Sequence, residues 1–366
     1  MRSARIDKPL AFLIAVLVVV GSLIFASAIF GLLARGISNT SSVAFSHVVL
    51  GIGIGVLALF VTSRLDYKLW RRFAPHIFVL ALALTAAVFI PGLGIEHGGG
   101  KRWLSLAGFS LQPAEFLKIA SIIMAAAYFS TIRTRVSTLR WGLGGLFLLL
   151  AGPVLLLLAQ PDLGTLGVIA ISVVAVFFAA GARFRDLIVM MLVGIVAIAV
   201  LAYLRPYVLD RIEVFFNPSH GPQAEGYQLR QSLIAIGSGG FLGRGFGQSV
   251  QKFTYLPEPM GDSIFAVLGE EFGFVGGITL IGLFLALALR GFSIAARAPD
   301  PFGGLLAIGI STYLVAEAFI NIAAMLGVAP LTGIPLTFIS QGGSAMLTSL
   351  GSAGILLSIS RRTVRH

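Results

Sequence analysis

Ten stretches of this chain carry few or no charged side chains over about 17 to 28 residues, and that one property governs what it can fold into. They lie near residues 9 to 33, 44 to 63, 74 to 91, 113 to 130, 141 to 159, 163 to 181, 187 to 204, 262 to 289, 302 to 326 and 344 to 360. A helix needs about 20 mostly apolar residues to cross about 30 Å of hydrocarbon, and within lipid every backbone polar group must find its partner inside the protein. The expected fold is therefore all-α: a polytopic integral membrane protein with ten transmembrane helices, organised as one domain over residues 1–366. Composition agrees, since 57% of residues are apolar and only 11% charged, against about 25% charged in soluble domains. A soluble enzyme is excluded. The run Pro9 to Leu33 follows a basic start like that of a signal peptide, but its 25 charge-free residues exceed an h-region of about 7–15, so it reads as a retained span. No charge occurs between Ala318 and Ser360, yet Pro330, Gly333, Pro335 and Ser340-Gln341-Gly342-Gly343-Ser344 interrupt that stretch. Irregular backbone at such depth persists only buried in protein or lining a wet cavity.

Lys and Arg outnumber acids 26 to 15, a formal charge of +11, and their distribution orients the spans because cytoplasmic loops hold the basic excess. Alternating sides across the ten spans gathers Arg2, Arg5, Lys8, Arg64, Lys68, Arg71, Arg72, Arg133, Arg135, Arg140, Arg183, Arg185, Arg290, Arg297, Arg361, Arg362 and Arg365 on one face. The other face has Arg35, Lys101, Arg102, Arg205, Arg211, Arg230, Arg244 and Lys252, with Lys118 left inside a span. Both termini are therefore expected in the cytoplasm. The excess reports topology and anionic membrane lipid rather than nucleic acid, because no basic stripe is interleaved with aromatics. Two outer loops, 92 to 112 and the extracytoplasmic 205 to 261 between the seventh and eighth spans, exceed the about 12–15 residues of an ordinary connector. In the second, Leu229, Leu233, Ile234 and Ile236 have the spacing of an interfacial helix. Function is thus expected on the outer face. No sequence repeat relates the two halves, which disfavours an inverted-repeat transporter.

The chain has no cysteine, so thiolate chemistry and disulfides are out. The five histidines lack ligand spacing, which leaves zinc and a serine triad without support. Gly237-Ser238-Gly239-Gly240-Phe241-Leu242-Gly243-Arg244-Gly245-Phe246-Gly247 looks like a phosphate loop but lacks Gly-Lys-Ser/Thr and faces away from cytoplasmic nucleotide. Ionisable groups within spans are the remaining candidates. Glu115 and Lys118, three apart after Pro113, share a helix face; they are a self-neutralising pair, a substrate-facing pair, or both. Asp262 precedes the eighth span as either a helix cap or a functional carboxylate. Glu270, Glu271 and Glu317, with Asn321 one turn beyond the last, have no partner evident from sequence.

The stretches Lys101-Arg102-Trp103-Leu104, Gln112-Pro113-Ala114-Glu115-Phe116, Gln160-Pro161-Asp162-Leu163-Gly164-Thr165, Gly226-Tyr227-Gln228-Leu229, Leu256-Pro257-Glu258 through Asp262 to Gly269-Glu270-Glu271-Phe272-Gly273, and Ile339-Ser340-Gln341-Gly342-Gly343-Ser344 closely resemble the SEDS family of FtsW, RodA and SpoVE proteins. The similarity covers essentially the whole chain, and Gly247-Gln248-Ser249-Val250-Gln251-Lys252 resembles the division branch more than the elongation branch. The resemblance implies a ten-span peptidoglycan glycosyltransferase of the bacterial plasma membrane, at the division septum, that polymerises lipid II at the outer face. Implied partners are a class B penicillin-binding transpeptidase and other division or elongation membrane proteins. The family's essential aspartate falls on Asp262, its Glu and Lys of the fourth span on Glu115 and Lys118, and its loop arginine on Arg102. The matched stretches add Gln160, Asp162, Ser340, Gly342 and Gly343 as substrate-binding candidates. The sequence departs from the family pattern at Met260-Gly261, where His-Thr is usual, at Ser263, where an aromatic follows the aspartate, and at Gln341, where a Tyr is usual. A carboxylate at the water interface suits general-base chemistry on a sugar hydroxyl. The lipid diphosphate calls for cations, which Arg102, Lys118 and Lys252 would supply, with or without Mg²⁺ or Mn²⁺ and with Asp262 as an eventual metal contact. The rival readings are a lipid II flippase using Glu115, Lys118 and Glu317, and a non-catalytic scaffold for the transpeptidase.

Overall fold

The computed structural model describes residues 6–34, 45–97, 100–106, 109–217 and 225–363. Arg2, Arg5, Arg35, His220, Arg365 and His366 lie outside the described residues, as does the 218–224 stretch of the long outer loop. The helices are α1 (Lys8–Ala34), α2 (Ile54–Arg64, entered through the π-helical turns Ser46–Gly53), α3 (Tyr67–Ala86), α4 (Pro113–Thr131), α5 (Gly144–Ala159), α6 (Leu163–Ala179), α7 (Phe184–Leu204), α8 (Pro206–Phe216), α9 (Glu225–Gly239), α10 (Gln251–Thr254), α11 (Ile264–Ala296), α12 (Pro301–Met325) and α13 (Gly343–Ser360). Among the described residues nine helices, with α2 and α5 counted from their π-helical entries at Ser46 and Leu139, are long and apolar enough to cross a membrane, and α6 is a shorter apolar one. All ten expected spans are therefore helical. The protein is a multi-pass membrane protein.

The layout differs from the hydropathy reading in places for physical reasons. Helix α3 starts at Tyr67, not near 74, because Asp66 caps it by accepting from the Lys68 N–H at 2.9 Å, and Lys68, Arg71 and Arg72 ride exposed on its first turns. The 92 to 112 loop, expected only to be more than a connector, forms a three-stranded antiparallel sheet over its described residues, β1 (Gly94–His97), β2 (Gly100–Leu106) and β3 (Phe109–Leu111), in sequential order. Strands of four, seven and three residues are too short for their alternation to stand out in sequence.

Helices α12 and α13 are the most buried spans, whereas α7 turns almost its whole apolar surface outward. Small residues let α13 lie close against α2: a Cβ on Gly354 would sit 2.0 Å from Thr62 Oγ1, and one on Gly55 would sit 2.6 Å from Leu350. One face of the bundle is knitted by charges from segments distant in sequence. Arg290 donates twice to Asp7, at 2.8 and 2.6 Å, Arg362 pairs with Asp66, and the Tyr67 hydroxyl meets Asp300. All of these lie on the side to which the charge count assigns the termini.

Helix α11 has 33 residues, or roughly 50 Å of helix, well beyond the hydrocarbon thickness. It is broken at Gly273 (φ 63°, ψ −159°). The part after the break, about 23 residues or roughly 35 Å, suffices to cross on its own. The glycine-rich segment before α10 plugs the break: Arg244 and Gly245 donate their N–H groups to the Glu270 and Glu271 carbonyls (both 3.0 Å), and the Gly240 and Phe241 carbonyls accept from Phe274 and Val275 (2.9 and 3.1 Å). This run, superficially like a phosphate loop, completes a broken helix. A Cβ on Gly273 would lie 2.4 Å from Gly243 N. Gly273→Ala, clashing and forced to a positive φ, is expected to lower stability by about 2 to 4 kcal/mol or to abolish accumulation, while Gly282→Ala, with open space around it, stays near wild type. Thermal unfolding in detergent micelles checks this; equal midpoints would mean the break is not built as described.

Candidate active site

Asp262 lies in the irregular turn that leads into α11, and its surroundings come from three segments. Asn321 on α12 donates to the Asp262 carbonyl at 2.8 Å, and also to the Ile334 carbonyl at 2.8 Å. The Ser340 hydroxyl donates to the Gly261 carbonyl at 2.6 Å, and the Gln341 N–H to the Met260 carbonyl at 2.7 Å. Three successive carbonyls are thus fixed from the side of α12 and α13. The carboxylate is held from the opposite side, by the Gln228 amide of α9 at 3.0 Å. The N-cap position of α11 is Ser263, which makes no side-chain cap bond, and Asp262 stands one residue before it. Asp262 keeps some exposed surface yet is densely surrounded by protein. That burial, reinforced by the charge of Glu258 and opposed by the Gln228 hydrogen bond, pushes its carboxyl up to about 6.

A second group lies at the corner between α5 and α6. Arg102, delivered by β2, donates to the carbonyls of Gln160 (3.1 Å) and Pro161. Gln160 is buried, with its amide on the Thr85 carbonyl at 2.8 Å. Asp162 caps α6, accepting from the Thr165 N–H at 3.1 Å and hydroxyl at 2.9 Å. The corner abuts the segment that Asn321 holds, since a Cβ on Gly164 would meet Ile334 at 2.6 Å. The Gln112 N–H, just before α4, donates to Ser344 at 3.0 Å, which ties the outer sheet to the start of α13. Gly342 and Gly343 form that start.

Between these groups, deep in the bundle, Lys118 lies 2.9 Å from Glu115 and 2.8 Å from Glu317, all three 1% exposed. Thr348 donates to Glu115 at 3.2 Å. The pair expected from sequence is a triad, with its third member supplied by α12. Glu317 and Asn321 are one turn apart on that helix, so one element links the buried charges to the Asp262 backbone.

The model of the FtsW/RodA/SpoVE family, described as cell cycle protein, matches residues 8–365. Stage V sporulation protein E of Bacillus subtilis (strain 168) is 39% identical over 313 residues, 86% of each chain. The chain belongs to this family. A protein of Trichlorobacter lovleyi named probable peptidoglycan glycosyltransferase FtsW is 42% identical over 310 residues, covering 84% of this chain and 81% of that one. Among solved structures, a chain of a peptidoglycan synthase complex, described for the coordination of polymerization and crosslinking, superposes with a TM-score of 0.80 at 27% identity. The rod shape determining protein RodA of Thermus thermophilus gives 0.72 at 27% identity. Each of these two covers 99% of both chains.

Within this family fold Lys252 stands apart from the other candidate cations. It is fully buried, its Nζ 2.6 Å from Glu271, 2.7 Å from Ser27 and 3.0 Å from the Gly247 carbonyl. Glu270 accepts from the Ser249 hydroxyl at 2.6 Å and from the Val250 and Gln251 N–H groups. The partners of the two adjacent acids, hidden in the sequence, are therefore the glycine-rich loop and α10, and these bonds seat the short helical segment that carries Asp262. Sequence reasoning missed Gln228 as a contact of Asp262 although it lies in a quoted motif, and it left Glu317 solitary although an intramembrane acid itself implies a partner.

Removing one charge of the buried triad strands the others. Lys118→Met is expected to cost about 3 to 5 kcal/mol. Adding Glu115→Gln alone does not restore stability, because Glu317 stays unpaired; Glu115→Gln, Lys118→Met and Glu317→Gln together recover most of it. Unfolding of the purified variants in detergent reads this, and full recovery in the Glu115/Lys118 double variant would reduce the triad to a pair.

Proposed function

We infer that this peptidoglycan glycosyltransferase polymerises lipid II at the outer face of the plasma membrane with Asp262 as its general base. The observation that carries the reading is a carboxylate at the mouth of a span, its backbone clamped by α12 and by the turn before α13; burial pushes that carboxyl up to about 6. Chain growth requires the 4-hydroxyl of a GlcNAc acceptor to attack C1 of a donor MurNAc. The new C1–O bond forms as the bond to the lipid diphosphate breaks, and the hydroxyl proton must leave. Asp262 takes that proton. A base whose pKa lies just below neutral is ionised at working pH yet still accepts a proton in the transition state. Backbone clamping holds it in place before substrate arrives, which removes the cost of ordering it during the reaction.

The leaving diphosphate develops negative charge, and the basic groups of the outer region, Arg102 first among them, stabilise it electrostatically. Lys118 and Lys252 are already paired with buried acids and act through the shape of the site. For a divalent metal the donor set is thin: no cluster of three or more His, Cys, Asp or Glu able to hold one occurs among the described residues. No step is routed through a metal. The partner is a class B penicillin-binding transpeptidase, and the division-type sequence around Gly247 to Lys252 supports a septal role.

Ionisation of Asp262 sets the sign of two pH effects. Polymerisation falls as pH drops through about 6, because only the carboxylate accepts the proton. The folded protein binds this proton more tightly than the unfolded chain, so the carboxyl favours the fold at low pH, and that contribution is lost as pH rises through about 6. At neutral pH, Asp262→Asn is therefore expected to leave stability equal or higher while lowering polymerisation by about 10²- to 10⁴-fold. The assay uses purified protein and labelled lipid II in detergent, with the transpeptidase present. A wild-type rate in the Asn variant would remove Asp262 from the chemistry, and lipid II movement across sealed bilayers without polymer would favour a flippase.

Orientation follows from the charge count, with α8 outside and the loop after α4 in the cytoplasm. The chain has no cysteine, so single cysteines at the exposed positions Glu213 and Thr134 report directly. An impermeant maleimide on intact cells is expected to label Glu213→Cys and spare Thr134→Cys; the reverse pattern inverts the topology.

A further inference from the structure

Among the described residues only one side chain donates a hydrogen bond to the Asp262 carboxylate, and it comes from the extracytoplasmic loop rather than from a span. Gln228 Nε2 lies 3.0 Å from Asp262 Oδ1 and 2.9 Å from Ser263 Oγ. A primary amide has two N–H donors on one nitrogen and two lone pairs on its oxygen. Here the two donors are divided, one to the carboxylate and one to the neighbouring hydroxyl. The opposite orientation would set the amide oxygen against the carboxylate, oxygen to oxygen, so the amide has one favourable placement. Ser263, fully buried, fixes that placement by accepting the second hydrogen. It stands where the family pattern resembled by this sequence has an aromatic, so this small hydroxyl acceptor is a feature of this chain.

The helix that presents Gln228 is itself anchored. Leu229 and Ala235 are buried, Ser232 reaches Met325 of α12 at 3.4 Å, and a Cβ on Gly239 would lie 2.0 Å from the Gly269 carbonyl. Helix α9 is thus pressed onto both α11 and α12, and the amide is delivered from a fixed platform.

We propose that Gln228, oriented by Ser263, is the positioning residue that holds the Asp262 carboxylate in its reactive rotamer. The proposal rests on Asp262 as the base. The clamped carbonyls of residues 260 to 262 fix the backbone but leave the side-chain torsions of Asp262 open, and misplacement of a reacting group by about 1 Å can cost about 10²-fold in rate. The Gln228 hydrogen bond closes that freedom. It also favours the ionised carboxylate, against the nearby Glu258 charge. Other charged groups around the turn act elsewhere: Glu317 on α12 is paired with Lys118, Arg230 on α9 is exposed, and the 331–341 segment carries none.

The test compares Gln228→Leu, Gln228→Glu, Ser263→Ala and the Gln228→Leu/Ser263→Ala double variant with wild type and Asp262→Asn, in polymerisation assays resolved into kcat and KM over a pH series, with thermal unfolding of each protein. The expected result is a kcat about tenfold or more lower in Gln228→Leu, with KM within about twofold and the acid limb of the rate profile moved to higher pH. Gln228→Glu, of the same size but with an acceptor facing the carboxylate, falls further. Ser263→Ala loses less, and adding it to Gln228→Leu costs nothing more, because it acts through the amide. A wild-type kcat in Gln228→Leu, a loss confined to KM, or a loss that follows the unfolding temperature with the acid limb unmoved overturns the proposal. Should Gln228→Leu fail to fold, Gln228→Glu and Ser263→Ala decide by the same criteria. Asp262→Asn separates the two readings: an inactive Asn variant beside a wild-type-like Gln228→Leu defeats only the positioning role, whereas an active Asn variant defeats the base itself.

Discussion

A backbone hydrogen bond left open at the edge of a membrane costs several kcal/mol, and the end of the bundle that holds Asp262 is organised around a place where a span opens four of them. At Gly273 the α11 helix stops following itself, and the N–H and carbonyl groups released there are taken up by residues 240 to 245. The consequence is larger than a kink. Since the part after Gly273 is long enough to span by itself, the nine residues Ile264 to Phe272 are released from crossing lipid and serve as a separate short helix. Its N-terminal end presents Asp262; its C-terminal end sinks Glu270 and Glu271 into the glycine-rich loop and α10. The two acids that looked like expensive intramembrane charges are the mooring of the helix that Asp262 precedes.

Buried charge is used differently in the span core. Two carboxylates and one ammonium at 1% exposure are costly to desolvate and rarely add stability over an apolar core. Their value lies in specifying one packing of α4 against α12, since any other would leave a charge unpaired. That packing sets the height of Asn321, one turn beyond Glu317, and hence the height at which the Asp262 carbonyl is held. The registry of two spans is thereby transmitted to the site without any side chain of the triad touching it.

How much of this the sequence disclosed depends on the range of the interaction. Span number, the place of Asp262 just before a span and the helical pattern of 227 to 236 follow from local composition and period, because a residue's transfer into lipid is a one-body property. Pairings across distance do not. Nothing in the local sequence of Lys118 points 199 residues along the chain to Glu317, and nothing near Lys252 points to Ser27 or to Glu271, 19 residues further on. The small sheet after α3 escaped for another reason: three short strands outside the hydrocarbon carry no lipid-imposed pattern. Basic residues on the first turns of α3 hid its start, because hydropathy measures burial in lipid and those turns stand in the interface.

The carboxylate of Asp262 therefore answers to two separate parts of the molecule. Its main chain is bound through Met260, Gly261 and Asp262 carbonyls to α12 and to the turn before α13, both among the most buried segments. Its side chain is bound to α9, which belongs to the outer loop. Rigid-body position and side-chain orientation are thus set by elements of different stability: the spans resist displacement because moving them exposes the buried triad, whereas α9 rests on van der Waals contact and a few polar bonds. Disturbance of the core is bound to move the whole turn, with loss of folding. Disturbance of the loop can rotate the carboxylate alone, leaving the fold intact and the side chain turned from its place.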